Sequence, residues 1–196
     1  MRRGKRLKFK RQSISDIVLI EPTVHEDNRG YFLESFRQDK LEDFLGFKVF
    51  FCQDNESKSS KGVLRGLHYQ THPAAQTKLV RVTQGKVLDI AVDIRKGSPT
   101  FGKHVSVELS AKNKKQLFVP RGFAHAFVTL ENDTVLAYKV DNYFSVENDR
   151  GVAFDDPTIG IDWHINADLL QLSDKDARQP LLSDADLFDY SVNYYV

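Results

Sequence analysis

The sequence predicts an all-β sandwich or barrel, and three observations carry that prediction. Ten short runs rich in branched and aromatic residues follow one another along 196 residues. Clusters of Gly, Pro, Asn and Asp stand between them. Only one segment has a helical period. Many short strands at close spacing with few helices define this class.

Taken in order, the runs are IVLIEP (17–22), GYFLESF (30–36), KVFFCQ (48–53), VLRGLHYQ (63–70) and KLVRVT (78–83). KVLDIAVDI (86–94), HVSVELS (104–110), KQLFVP (115–120), HAFVTL (125–130) and TVLAYKV (134–140) complete the set. The turns between them include Asp27-Asn28-Arg29-Gly30, Gln84-Gly85, Lys96-Gly97-Ser98-Pro99 and Pro120-Arg121-Gly122. The one helix falls in QDKLEDFLG, where Leu41, Phe44 and Leu45 share a face and Gly46 offers a stop. The aspartate-rich segment after Trp163 reads as turns and short helix.

Length and composition fit one soluble domain over residues 1–196. Its core is expected over about 13–182, with a basic arm at 1–12 and an extension at 183–196. Twenty-eight basic residues against twenty-seven acidic ones leave no global field for nucleic acid, so an anionic ligand must be held locally. The arm holds seven basic residues in twelve positions and reads as solvated. Cys52 is the only cysteine, which excludes an intrachain disulfide or a multi-cysteine zinc site. No apolar run approaches the roughly 18 residues of a membrane span, and no signal-peptide core follows the basic start. The expected address is cytoplasmic, with neither nucleic acid nor membrane as a partner.

Period-2 parity sorts the strands into faces. Leu88, Ile90, Val92 and Ile94 form one apolar face, with Val87, Asp89, Ala91 and Asp93 on the other. Leu136, Tyr138 and Val140 point one way. In VLRGLHYQ a regular strand puts Arg65 and His68 on opposite faces, whereas a bulge at Gly66 turns both inward. Taken alone, His68 suits a structural hydrogen bond as well as catalysis, and Arg65 suits a surface ion pair as well as a phosphate contact. His68 and His72 lie four apart beside Pro73 in a β pattern, which is the wrong spacing for a metal pair, and His125 has no neighbouring partner. No phosphate loop, dinucleotide fingerprint or serine elbow is present.

Together, DNRGYFLESF (27–36), FCQDNESKSSKGVLRGLHYQ (51–70), KLVRV (78–82), residues 89–127, YKVDNYF (138–144) and DDPTIGIDW (155–163) closely resemble the dTDP-4-dehydrorhamnose 3,5-epimerase family. The resemblance covers about residues 17–181. It implies a cupin-type jelly roll, a homodimer, a dTDP-4-keto-6-deoxy sugar as substrate, and no cofactor or metal. It also implies His68 as catalytic base, Asp176 as its carboxylate partner, Tyr138 as the opposing acid and Lys78 beside the keto oxygen. Arg29, Glu34, Gln53, Asn55, Arg65, His125, Asp149 and Lys175 fall at positions that hold nucleotide, diphosphate or sugar. Tyr143 and Phe144 occupy a thymine-stacking pair. There are departures from the family pattern. Thr77 stands where glycine is usual, and Ala126 replaces a glycine after His125. Asp149 is one methylene shorter than the expected glutamate, and Phe144 lacks a tyrosine's hydroxyl.

The implied chemistry suits these residue types. Hydrogens on both carbons next to a ketone are removable as protons, and a base and an acid on opposite faces invert such a carbon. An imidazole serves as base near neutrality. A phenol is protonated there and can donate, and an ammonium stabilises the enolate oxygen.

Overall fold

The computed structural model describes residues 7–195. The chain opens with β1 (Lys8–Arg11) and β2 (Val18–Glu21), then a hairpin of β3 (Val24–Asp27) and β4 (Gly30–Leu33), then α1 (Gln38–Leu45). The sandwich strands follow: β5 (Gln53–Ser59), β6 (Leu64–Gln70), β7 (Lys78–Gln84) and β8 (Lys86–Asp93). After the short β9 (Arg95–Lys96) come β10 (His104–Ser110), β11 (Gln116–Val119), β12 (Phe123–Thr129) and β13 (Thr134–Val140). β14 (Asp149–Gly151) and β15 (Phe188–Asp189) complete the set, with single 3-10 turns between them.

Two antiparallel sheets face each other, in the orders β1-β2-β11-β7-β13-β5 and β10-β8-β12-β6-β14. This is the expected cupin-type jelly roll, and the parity of its strands divides the core into three layers. Between the sheets, Val80, Val82, Leu117 and Leu136 meet Val87, Ala91, Phe123 and Phe127. Behind the five-stranded sheet, Leu88, Ile90, Val92 and Leu67 pack under Trp163, Leu182 and Phe188. Behind the six-stranded sheet, Ile20, Leu79 and Phe118 pack under Leu41 and Leu45 of α1. Gly46 ends that helix in the left-handed region, and its amide donates to the Glu42 carbonyl.

Two expectations differ from the structure. KVFFCQ (48–53) is not a strand apart from its last residue: the backbone of 48–52 is irregular, with Val49 and Phe51 packed in the layer under α1. The strand is the next segment, QDNESKS, at the edge of the six-stranded sheet. Its inward residues line a polar cleft, so it carries no apolar alternation. The core also reaches past 13–182 at both ends. Lys8–Arg11 pairs with Val18–Glu21, Phe9 stacks on Phe44 at 5.1 Å, and Ala185 and Phe188 are buried. Residues 1–6 of the basic arm lie outside the described chain.

Phe118 is fully buried on a central strand. Phe118→Ala is expected to cost about 3–5 kcal/mol, read as a lower urea midpoint at unchanged slope. A loss under 1 kcal/mol would show that α1 does not close this layer.

Candidate active site

The cleft begins at an irregularity in β6. Against β12, His68 pairs with His125 while Arg65 pairs with Phe127, so β6 spends one more residue than its partner over that interval. The extra residue restores Arg65 and His68 to one face, opposite the buried Leu64, Leu67 and Tyr69. Gly66 permits this at φ +134°, because a Cβ there would stand 2.2 Å from Ala126 Cβ and 2.8 Å from the His125 carbonyl oxygen. The bulge expected at Gly66 is present.

His68 therefore faces the space between the sheets. Its Nε2–H donates to Asp176 Oδ1 in a short bond, which leaves Nδ1 as the ring's acceptor. Asp176 is buried on the 3-10 turn Asp176–Arg178, and Ser173 supports it: the Ser173 hydroxyl donates to Asp176 Oδ2 at 2.9 Å. Burial acts to raise the Asp176 carboxyl, but the bond from His68, its charge and the Ser173 hydroxyl outweigh it and hold the group below the usual carboxylate range.

Lys78 and Tyr138 come from the opposite sheet. Both share the parity of inter-sheet core residues, Lys78 with Val80 and Val82, and Tyr138 with Leu136. Lys78 Nζ donates to the His68 carbonyl oxygen at 3.3 Å. Burial pushes Lys78 down to about 8, against the pull of Asp89 and Asp149. Burial likewise raises the Tyr138 phenol, with Arg65 opposing the shift. Lys78 thus bonds to His68's own residue from the facing sheet, and Arg65 acts on Tyr138 across the same gap.

Most of the other expected residues ring this group. Gln53 donates to Asn55 Oδ1 at 2.8 Å, and both lie on the inward side of β5. Arg65 Nε donates to Ser59 Oγ at 3.3 Å. Asp149 and Lys175 form a close ion pair. Tyr143 and Phe144 are 67% and 58% exposed on the loop after β13. Gln70 fixes that loop, accepting from the Ser145 amide at 2.8 Å and donating to the Tyr143 carbonyl at 3.1 Å. His125 is buried and its Nε2 donates to Asp89 at 3.0 Å, which makes a second imidazole–carboxylate pair. Neither Asp89 nor Ser173 is given a role in the sequence analysis. For Asp89 the signal was there: a carboxylate in the middle of an inward face, between Val87 and Ala91.

Arg29 and Glu34 are not brought to this group. Arg29 stands at the β3–β4 turn with an 84% exposed side chain, paired to Asp27. Glu34 is exposed and lies near Arg37, at a hollow lined by Leu7 and Phe9. The physical reason is local: the hairpin pairs only with itself and joins neither large sheet. Among the described residues, no three His, Cys, Asp or Glu side chains cluster as metal ligands, and no helix is long and apolar enough to cross a membrane.

The fold and the cleft define a jelly-roll protein with an imidazole–carboxylate pair on one wall and a phenol and an ammonium on the other. Such a set suits proton transfer at carbon beside a carbonyl. The profile of the dTDP-4-dehydrorhamnose 3,5-epimerase family matches residues 11–184, and the chain belongs to that family. It is 53% identical over 175 residues to the dTDP-4-dehydrorhamnose 3,5-epimerase of Shigella flexneri, covering 89% of this chain and 96% of that one. It is 47% identical over 182 residues to that of Pseudomonas aeruginosa, covering 93% and 99%. Among solved structures, the dTDP-6-deoxy-D-glucose-3,5-epimerase of Legionella pneumophila in complex with dTDP-4-keto-L-rhamnose superposes with a TM-score of 0.91. That match has 44% identity and covers 95% of this chain and 100% of that one.

Lys78 provides a test of the electrostatics. Its acylation by an amine reagent, followed by mass spectrometry, is expected to be half-maximal near pH 8. A free lysine titrates at about 10.4. A midpoint above 10 would mean that the ammonium is solvated.

Proposed function

We propose that this chain inverts C3 and C5 of dTDP-4-dehydro-6-deoxy-D-glucose, giving dTDP-4-dehydro-L-rhamnose. The observation that carries the reading is the His68–Asp176 pair facing Tyr138 across the cleft, with Lys78 bonded beside it. In this reading His68 Nδ1 takes the proton from the carbon next to the C4 ketone. Asp176, holding Nε2–H, stabilises the imidazolium that forms. The electron pair moves onto the ketone oxygen, where the Lys78 ammonium meets the charge; such a donor is worth about 3–4 kcal/mol in the transition state. Tyr138 returns a proton to the opposite face, which inverts the carbon. Exchange with solvent then resets both groups, and the second carbon follows by the same steps.

Binding falls to the ring around this group. Arg65 presents parallel donors to the diphosphate, while the exposed faces of Tyr143 and Phe144 take the thymine. Gln53, Asn55, His125 on Asp89, and the Asp149–Lys175 pair contact sugar or nucleotide. Arg29 and Glu34 make their contacts from a second copy. Their hairpin carries the exposed Tyr31 and Phe32 and does not pack on its own chain's cleft, which supports a homodimer. A nucleotide-sugar substrate supports a cytoplasmic setting.

Incubation of the substrate with the protein in heavy water, followed by proton NMR, is expected to place deuterium at both C3 and C5, and His68→Ala to abolish it. Deuterium at one carbon would indicate a single-centre epimerase. None at either, with the nucleotide sugar still bound, would indicate a binding module. Asp176→Asn is expected to lower turnover about 10²–10⁴-fold with the nucleotide affinity retained. Turnover should also fall as pH rises through about 8, because Lys78 is charged below that value and neutral above it. A rate still climbing at pH 9 would remove Lys78 from the enolate site.

A further inference from the structure

One buried polar cluster has no part in the mechanism above. It lies one step beyond Lys78, at the start of β7, where Lys78 pairs with Val119 of β11 and Val140 of β13. The Thr77 amide donates to Asp141 Oδ1 at 2.6 Å, and Arg121 Nε donates to Asp141 Oδ2 at 3.1 Å. Thr77 is fully buried, and the Asp141 side chain is 3% exposed. The cluster is closed by the far end of the chain. The Tyr195 hydroxyl accepts from the Arg121 amide at 3.1 Å and shares a hydrogen with Thr77 Oγ1 at 2.7 Å. Arg121 Nη1 donates to the Tyr194 carbonyl at 2.5 Å, and its guanidinium lies 5.1 Å from the Tyr195 ring centroid. That ring also meets Phe47, with centroids 4.6 Å apart.

Each half of the Tyr195–Thr77 contact stands apart from the family pattern. Thr77 stands where the family usually has glycine, and glycine offers no hydroxyl. Tyr195 lies beyond residue 184, where the match to the family ends. The Thr77 side chain bonds to Asp141 inside the cluster, and the tail adds a second contact through the Tyr195 hydroxyl, so the buried hydroxyl is held from both sides. The two departures fit each other. The place they meet is adjoined by the ammonium that serves the enolate, at strand ends that carry Lys78 and, two residues before Val140, Tyr138.

We infer that Tyr195 is a positioning residue: through Thr77 it fixes the start of β7 and so sets where the Lys78 ammonium sits in the cleft. The inference rests on the epimerase reading for its kinetic consequence and on the geometry for the rest. Burial of the Tyr195 phenol, which pushes it up to about 12, keeps it protonated across the working range. The link is therefore a neutral one that does not titrate with the reaction.

The test uses the full chain with three substitutions. Tyr195→Phe keeps the ring and its packing on Phe47 and removes only the hydroxyl. Thr77→Val keeps the shape and removes the other hydroxyl, and Thr77→Ser keeps it. Tyr195→Phe and Thr77→Val are each expected to lower kcat about ten-fold with KM within about two-fold of wild type, while Thr77→Ser remains near wild type. In a Lys78→Ala background, Tyr195→Phe is expected to add nothing, because its effect passes through the missing ammonium. Without any sugar present, the pH midpoint for Lys78 acylation should rise in Tyr195→Phe as water reaches the amine. Unchanged kcat and midpoint in Tyr195→Phe would overturn the inference. So would an equal further loss in the Lys78→Ala background, which would assign Tyr195 to stability alone. If the wild-type chain turns over no sugar, the epimerase reading fails, and the acylation midpoint still decides whether Tyr195 positions Lys78.

Discussion

The cleft depends on one close approach of backbone to backbone, that of Gly66 against His125 and Ala126. Without it, β6 would run as a regular strand and present Arg65 and His68 to opposite faces. One of the two would then enter the apolar layer under Trp163, where a charged or hydrogen-bonding group has no partner. With it, both face inward, and the same contact sets His125 beside them on β12. Asp176, Lys78 and the loop held by Gln70 are all arranged about the position that His68 takes. A side chain at residue 66 would meet atoms of the neighbouring strand that cannot withdraw, since Ala126 belongs to the buried face of the sheet. The constraint is steric, and the chemistry of the site is built on it.

How much of this was legible in the sequence follows from where each residue packs. Nine of the ten expected runs hold a strand, and eight of those belong to the two large sheets and pack on their dry core, as in Lys86–Asp93, whose two faces divide between two layers. The pattern failed at Gln53–Ser59 because that strand lines a wet cleft, so its inward residues are amides and serines. It failed in the other direction at 48–53, where apolar residues serve a loop packed under α1. The Gly66 bulge was legible because a glycine between two polar side chains in an apolar strand has few other uses. The pairing of His68 with Asp176 was visible only through the family resemblance, since parity and spacing say nothing about a turn more than a hundred residues away. Asp89 was readable in principle, as an acid on an inward face. Ser173 and the Tyr195 contact were not, because each is a single polar atom reaching another that lies far off in sequence.

The two sheets divide the electrostatic work. The five-stranded sheet supplies the imidazoles, each held by a carboxylate, so each ring has a fixed tautomer and orientation. The six-stranded sheet supplies the groups that burial perturbs, with Lys78 made easier to deprotonate and Tyr138 harder. Both shifts come mainly from the same cause, removal from water. They leave the amine near the limit of its charged range while the phenol stays a dependable donor. The site uses depth in the sandwich to tune its wall of donors and specific partners to tune its wall of acceptors.

The bond between His68 and Asp176 joins positions 108 residues apart in the chain. At translation rates of roughly 5–20 residues per second, the carboxylate is made about 5–20 s after its imidazole. Through that interval the nascent protein can pair β6 with later strands but has no dyad. Contacts of such long range also form late in folding, since the intervening loop must be closed first. The dyad is thus timed to the arrival of residue 176, and a ribosome-bound product that stops short of it has the imidazole without the carboxylate that orients it.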